Sequence, residues 1–161
     1  MTMGETIPDF TLTGAKGTEI REFTLSSVAG DRPALLVFYI YDYSPVCETQ
    51  ICEINDSEWL MFNDDVTVLG ISTDGPYSHR QFIADEDITY PLLSDGDLTV
   101  YEACGMTEDG ADGAPEPKRG LVIVDGSRTV RYRWQPDDNW DAWDTAKMRE
   151  TYDVLAALSS A

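Results

Sequence analysis

Apolar positions fall along this chain in short runs separated by clusters of Gly, Pro, Asp and Ser. Residues 34–41 form a continuous apolar run, the pattern of a strand buried on both faces. At Ser44-Pro45 the period changes, and Ile51, Ile54 and Leu60 follow at helical spacing, predicting a helix that ends near Phe62. Ser44 suits its N-cap and Pro45 its first position, where a fixed φ and a missing N–H cost little. Residues 66–72 are a second β-branched apolar run, so strand, helix and strand make a βαβ unit with the usual right-handed crossover.

Ahead of this unit, residues 4–12 read as a short alternating strand after a proline and Thr13-Gly-Ala-Lys-Gly17 as a turn. Residues 19–25 read as a second strand, with one helical turn or a loop at 25–29. Behind it come a helix over about 76–86 with Phe82 and Ile83 on its buried side, a short strand and turn at 90–95, and a short helix from Asp97 ending at Cys104-Gly105. Residues 107–117, rich in Gly, Pro and acid, leave nothing to pack and predict a mobile loop. Residues 119–125 and 129–134 predict a hairpin around Gly126-Ser127, and residues 142–158 a C-terminal helix. The whole, residues 1–161, is expected to be a single α/β domain without repeats: a central mixed sheet flanked by helices, opened by a β-hairpin.

Composition narrows the function. No stretch of about 18 apolar residues would cross a membrane, and the N-terminus lacks the basic and apolar regions of a signal peptide, so a cytoplasmic protein is expected. Thirty acidic residues against 11 basic give a net charge of −19, which excludes nucleic acid and anionic membranes as partners. The acidic residues are spread along the whole chain and only three residues are Lys, as expected of a halophilic protein whose self-repulsion is screened in molar salt. Three Cys and one His offer neither a disulfide scaffold nor a paired zinc set, so no metal and no cofactor are expected.

The chemistry points to Cys47, placed in the first turn of a helix after a central strand, where unpaired N–H groups and the helix dipole favour the nucleophilic thiolate. Its surroundings, Ser44-Pro45-Val46-Cys47-Glu48-Thr49-Gln50-Ile51-Cys52, resemble the active-site loop of the peroxiredoxins (the alkyl hydroperoxide reductase/thiol-specific antioxidant family). The bacterioferritin-comigratory, or Q-type, subgroup is most similar, with a loop running approximately Thr-Pro-Gly-Cys-Thr-x-Gln-x-Cys. The opening Pro8-Asp-Phe-Thr-Leu12 and the Pro91-Leu-Leu-Ser-Asp95 segment are similar too, so the resemblance spans almost the whole chain. It implies a thioredoxin-like fold and a thiol peroxidase in which Cys47 attacks a hydroperoxide and becomes a sulfenic acid.

The resemblance also implies roles for neighbours. Ser44 stands where most members have Thr and would hydrogen-bond the peroxide; Arg119 would face thiolate and peroxide with a permanently charged fork. Gln50 would orient that arginine. Ile40 is a departure, because members usually have Pro there. Cys52 would resolve the sulfenic acid as an intrachain disulfide, reduced in turn by a thioredoxin-like protein. On an ideal helix the two Cα atoms lie roughly 8.7 Å apart, beyond the ~7 Å limit for a disulfide, so the helix must first unwind. Cys104 is a back-up resolving thiol or a buried one; His79 reads as a surface or packing residue, and Tyr132, Trp134, Trp140 and Trp143 as packing aromatics. The alternatives are a one-cysteine peroxidase served by an external thiol, a disulfide oxidoreductase (which the spacing of Cys47 and Cys52 does not suit) and a non-enzymatic redox sensor. The chain would be a monomer or homodimer.

Overall fold

The computed structural model describes residues 3–139 and 146–159. An antiparallel pair opens the chain, β1 (Thr11–Lys16) and β2 (Glu19–Thr24), followed by one helical turn, α1 (Leu25–Ala29). Residues 13–16, expected as a turn, are strand. The chain reverses only at Gly17, whose φ of +60° suits a residue without a side chain. β3 (Ala34–Phe38) then leads into α2 (Pro45–Asn55), α3 (Glu58–Met61), β4 (Thr67–Ser72), α4 (Pro76–Glu86), β5 (Leu92–Ser94) and α5 (Thr99–Ala103). The single helix expected from 44 to 62 is two. Asp56-Ser57 interrupts it, and the Ser57 hydroxyl accepts the Leu60 N–H to start α3 afresh.

The expected loop at 107–117 is instead a small hairpin, β6 (Thr107–Asp109) and β7 (Pro115–Pro117). Its backbone ladder forms although its residues are only exposed or half-buried, and Pro115 and Pro117 are tolerated because a two-stranded ribbon needs only some of its N–H groups. β8 (Gly120–Val124), β9 (Val130–Trp134) and α6 (Ala146–Ser159) complete the chain; the expected helix start at 142–145 lies outside the described residues.

The main sheet runs β2-β1-β5-β4-β3-β8-β9, with β3 parallel to β4 and antiparallel to β8. It is the mixed, helix-flanked sheet that the order of elements implied. Alternate residues of β3 feed two separate cores. Leu35 and Val37 pack with Ile51 and Ile54 of α2, Phe82 of α4 and Leu155 of α6. Ala34, Leu36 and Phe38 pack on the other face with Phe23, Val100, Tyr101 and Cys104. Each fully buried aliphatic side chain stabilises by about 1.5–3 kcal/mol, so Ile51 and Ile54 hold the second half of α2 firmly on the sheet.

Candidate active site

β3 stops at Phe38, and residues 39–44 cross from its end to the start of α2. Ser44 occupies the N-cap with extended backbone (φ −70°, ψ 132°), and Pro45 begins the helix, as the sequence predicted. The Ser44 hydroxyl makes no capping hydrogen bond. Cys47 is fully buried, and its Sγ accepts the backbone N–H of Ile40 at 3.3 Å.

Gln50, one turn later and also fully buried, donates through Nε2 to the carbonyls of Phe38 (3.3 Å) and Gly120 (3.5 Å). It therefore ties α2 to the ends of both β3 and β8. A side chain at Gly120 would run into the Trp134 carbonyl, so glycine is required beside Gln50. Arg119 immediately precedes Gly120 and is itself fully buried. Its backbone N–H donates to Asn139 Oδ1 (3.0 Å), its Nη1 to the Asn139 carbonyl (2.8 Å), and the Trp134 ring lies 5.8 Å from its guanidinium. A buried guanidinium is retained only where such partners offset its desolvation. Cys47, Gln50 and Arg119 thus gather at one end of the β3–β8 pair. Ile40 and Asn139 both line an open cleft of about 550 Å³, whose rim carries Glu108, Glu116, Asp137 and Asp138.

The 39–44 segment is anchored by a buried polar cluster. Asp42 accepts from Tyr39 Oη (2.7 Å) and Ser78 Oγ (2.6 Å), and His79 Nδ1 lies 2.9 and 3.0 Å from its two oxygens. His79 Nε2 faces the Leu93 carbonyl at 3.1 Å, so each ring nitrogen has a fixed partner. Burial opposes ionisation of Asp42, but His79, Ser78 and Tyr39 outweigh it and hold the carboxyl below its usual range. His79, expected as a surface or packing residue, is fully buried and functions as a hydrogen-bonded anchor. Asp42, Asn139 and the Trp134–Arg119 contact went unforeseen. A signal existed for His79, which falls with Phe82 and Ile83 at i, i+3 and i+4 on the inner face of α4. None marked Asn139.

Cys52 is half-buried on another face of α2, with its S–H directed at Glu86 Oε2 (3.7 Å). Burial first, then Glu86, Glu48 and Asp56, push its thiol up to about 12. A surface cavity of about 410 Å³ opens here between Pro45, Glu48, Thr49, Cys52 and Glu86. Cys104 is buried in the opposite core, with the sheet between it and Cys47; burial and Asp95 push it up to about 12 as well. Tyr132 donates to Glu150, and Trp140 and Trp143 lie outside the described residues.

Comparison with known proteins places these residues in context. Residues 3–133 match the AhpC/TSA family. The chain is 30% identical to alkyl hydroperoxide reductase E of Mycobacterium tuberculosis over 99% of both chains, and 32% identical to a putative peroxiredoxin of Synechocystis over 81% of this chain and 66% of that one. Among solved structures, peroxidoxin BcpB of Mycobacterium tuberculosis superposes with a TM-score of 0.82 at 28% identity over 98% of both chains. The mitochondrial 2-Cys peroxiredoxin of Plasmodium falciparum gives 0.80 at 26% identity, over 99% of this chain and 97% of that one. With the family matched across four-fifths of its length, the chain belongs to the AhpC/TSA family of peroxiredoxins.

Proposed function

We propose that the protein is a thiol peroxidase that reduces hydrogen peroxide or organic hydroperoxides through Cys47. The Cys47 thiolate attacks one peroxide oxygen and forms an S–O bond. The O–O bond breaks, and the departing oxygen takes a proton and leaves as water or an alcohol, with Cys47 left as a sulfenic acid. The observation that carries this reading is the Cys47 sulfur itself, buried in the first helical turn, in contact with a backbone donor and beside a cleft shared with the Arg119 partner Asn139. The Ser44 hydroxyl, unused as a cap, is free of that competing task and would donate to the peroxide. Arg119 would stabilise charge on the departing oxygen, with Gln50 fixing the strand end from which it projects.

Cys52 is assigned the resolving role. Its thiol displaces the sulfenic hydroxyl as water and leaves a Cys47–Cys52 disulfide, which a thioredoxin-like dithiol reduces. Continuous α2 from Pro45 to Asn55 keeps the two apart, so the first half of the helix must unwind. One observation favours the one-cysteine alternative: a Cys52 thiol pushed up to about 12 is a slow nucleophile at neutral pH, which would leave time for an external thiol. The net charge of −19 supports a soluble, halophilic, cytoplasmic setting, with the chain working as monomer or homodimer.

The test is steady-state peroxide consumption coupled to a thioredoxin system. Cys47→Ser should abolish turnover and Cys52→Ser should abolish the thioredoxin-coupled part of it. Undiminished activity in Cys47→Ser would overturn the reading.

A further inference from the structure

We infer that the backbone N–H of Ile40 is part of the catalytic machinery, donating to the Cys47 thiolate, and that the buried Asp42–His79 pair aims it. The inference rests on Cys47 being the reactive thiol. The N–H lies 3.3 Å from Sγ inside a fully buried site, where water cannot substitute for it. A proline at position 40 has no N–H and could not make this contact. Hydrogen bonds to a charged acceptor are among the stronger ones in proteins.

Hydrogen bonds on both sides of Ile40 leave it little freedom. The Tyr39 N–H donates to the Ile71 carbonyl at 3.0 Å, and the Tyr101 hydroxyl sits on the carbonyls of both Tyr39 and Ile71. Tyr39 Oη turns back onto Asp42, so the side chains at positions 39 and 42 clasp each other around Ile40. His79 and Ser78 then fasten that clasp to α4, and the Asp42 N–H donates to Asp74 at 2.7 Å. Asp42 and His79 are thus positioning residues, acting on sulfur through the backbone between them.

The donor has two opposed effects on rate. It stabilises the thiolate, so more of it exists at low pH. It also draws charge from sulfur, and nucleophilicity falls with a Brønsted coefficient of about 0.4–0.5. A contact that enriches the thiolate about tenfold therefore lowers the reactivity of each thiolate about threefold. The net result is an enzyme that works further into acid at the expense of its alkaline maximum. Among the described residues, the titratable and charged groups on the elements around Cys47 are Glu48 on its own helix, Tyr101 of α5 with Asp95 beside it, Asp42 and His79 of the anchor, Asp74 before α4, and Arg119 before β8; all are common to the variants compared except where one is itself replaced.

The experiment uses the full chain carrying Cys52→Ser and Cys104→Ser, so that Cys47 alone reacts. Its rates with iodoacetamide and with hydrogen peroxide are followed by intact mass from about pH 5 to pH 10, a span that brackets the usual thiol range. Adding Ile40→Pro is expected to slow the reaction about threefold on the acid limb, where the tenfold loss of thiolate outweighs the threefold gain in its reactivity, and to speed it about threefold on the alkaline plateau, so that the two profiles cross. His79→Asn and Asp42→Asn, which keep the N–H but loosen its aim, should shift the profile the same way by less. His79→Asn added to Ile40→Pro should shift it no further. They also keep the inference testable if proline disturbs the loop. Val130→Ala, in the opposite core, should lower the melting temperature and leave the profile in place. Profiles for Ile40→Pro and His79→Asn that never cross the parent's, or an equal shift from Val130→Ala, would overturn the inference. Crossing profiles with iodoacetamide alongside no peroxide reaction in any variant would support the hydrogen bond and overturn the peroxidase reading instead.

Discussion

Arg119 illustrates how much one residue carries at this site. It is a fully buried cation in a chain of net charge −19, held through both its backbone and its side chain by Asn139 and lying beside the Trp134 ring. Lysine would keep the charge but lose the planar fork. Arg119→Lys should therefore leave the fold intact by circular dichroism and lower the rate of Cys47 oxidation by about tenfold or more, as measured by stopped-flow peroxide reaction. Asp42 offers a second prediction. Its folded carboxyl is held below the unfolded value of about 3.9, so its pairing contributes stability above that pH and loses it as pH falls through the lower, folded value. Asp42→Asn should melt lower than the parent near neutral pH. The gap between them should close in acid below about pH 4, which thermal denaturation across pH would read. For single residues the sequence was informative where placement follows from local pattern. Cys47, Ser44 and Gln50 fell where the helix start and the loop motif put them. Asn139 and the Asp42–His79 pair depend on chain crossings of 20 and 37 positions, which no local pattern encodes.

At the scale of elements, α2 is the part with two tasks. Its second half is fixed by Ile51 and Ile54 in the core and by Tyr90 Oη donating to the Ile51 carbonyl at 2.8 Å. The first half carries Pro45, Glu48 and Thr49 along the surface cavity that Cys52 and Glu86 complete. If the helix unwinds from Pro45, Cys47 travels toward a Cys52 that stays beside Glu86. Cys52 is then still held as a thiol by its burial and by Glu86, and the rate of disulfide formation should rise about tenfold per pH unit through neutrality. Glu86→Gln removes one of the two leading causes and should accelerate disulfide formation at pH 7 several-fold while leaving the peroxide step unchanged. Rapid-quench alkylation separates the two steps. Periodicity revealed α2 and both flanking strands, but it ran α2 into α3, because Leu60 continues the helical spacing across a break made by the Ser57 cap.

For the molecule as a whole, the acid that lines the cleft rim and covers the surface is a stability problem with a salt-dependent solution. Few cations are available to pair with 30 acidic residues, so most of the repulsion must be screened rather than neutralised. Screening shortens from about 10 Å at 0.1 M to about 3 Å at 1 M salt. The melting temperature should accordingly climb by several degrees between 0.1 and 2 M potassium chloride, and a flat response would contradict the halophilic assignment. The sheet order itself was only partly legible. The order of elements implied a mixed sheet with a leading hairpin, but nothing local told that β1 would pair with β5, which closes that edge through Gly14 and Ala15 against Leu93 and Leu92.

The central claim is that Cys47 is the peroxide-reactive thiol and Cys52 its partner. The most direct measurement is intact and peptide mass spectrometry of the reduced protein after one equivalent of hydrogen peroxide, in high salt. A loss of two hydrogens, mapped to a Cys47–Cys52 crosslink, is expected. An unmodified Cys47 would contradict it, and a single added oxygen on Cys47 with Cys52 still free would transfer the resolving role to an external thiol.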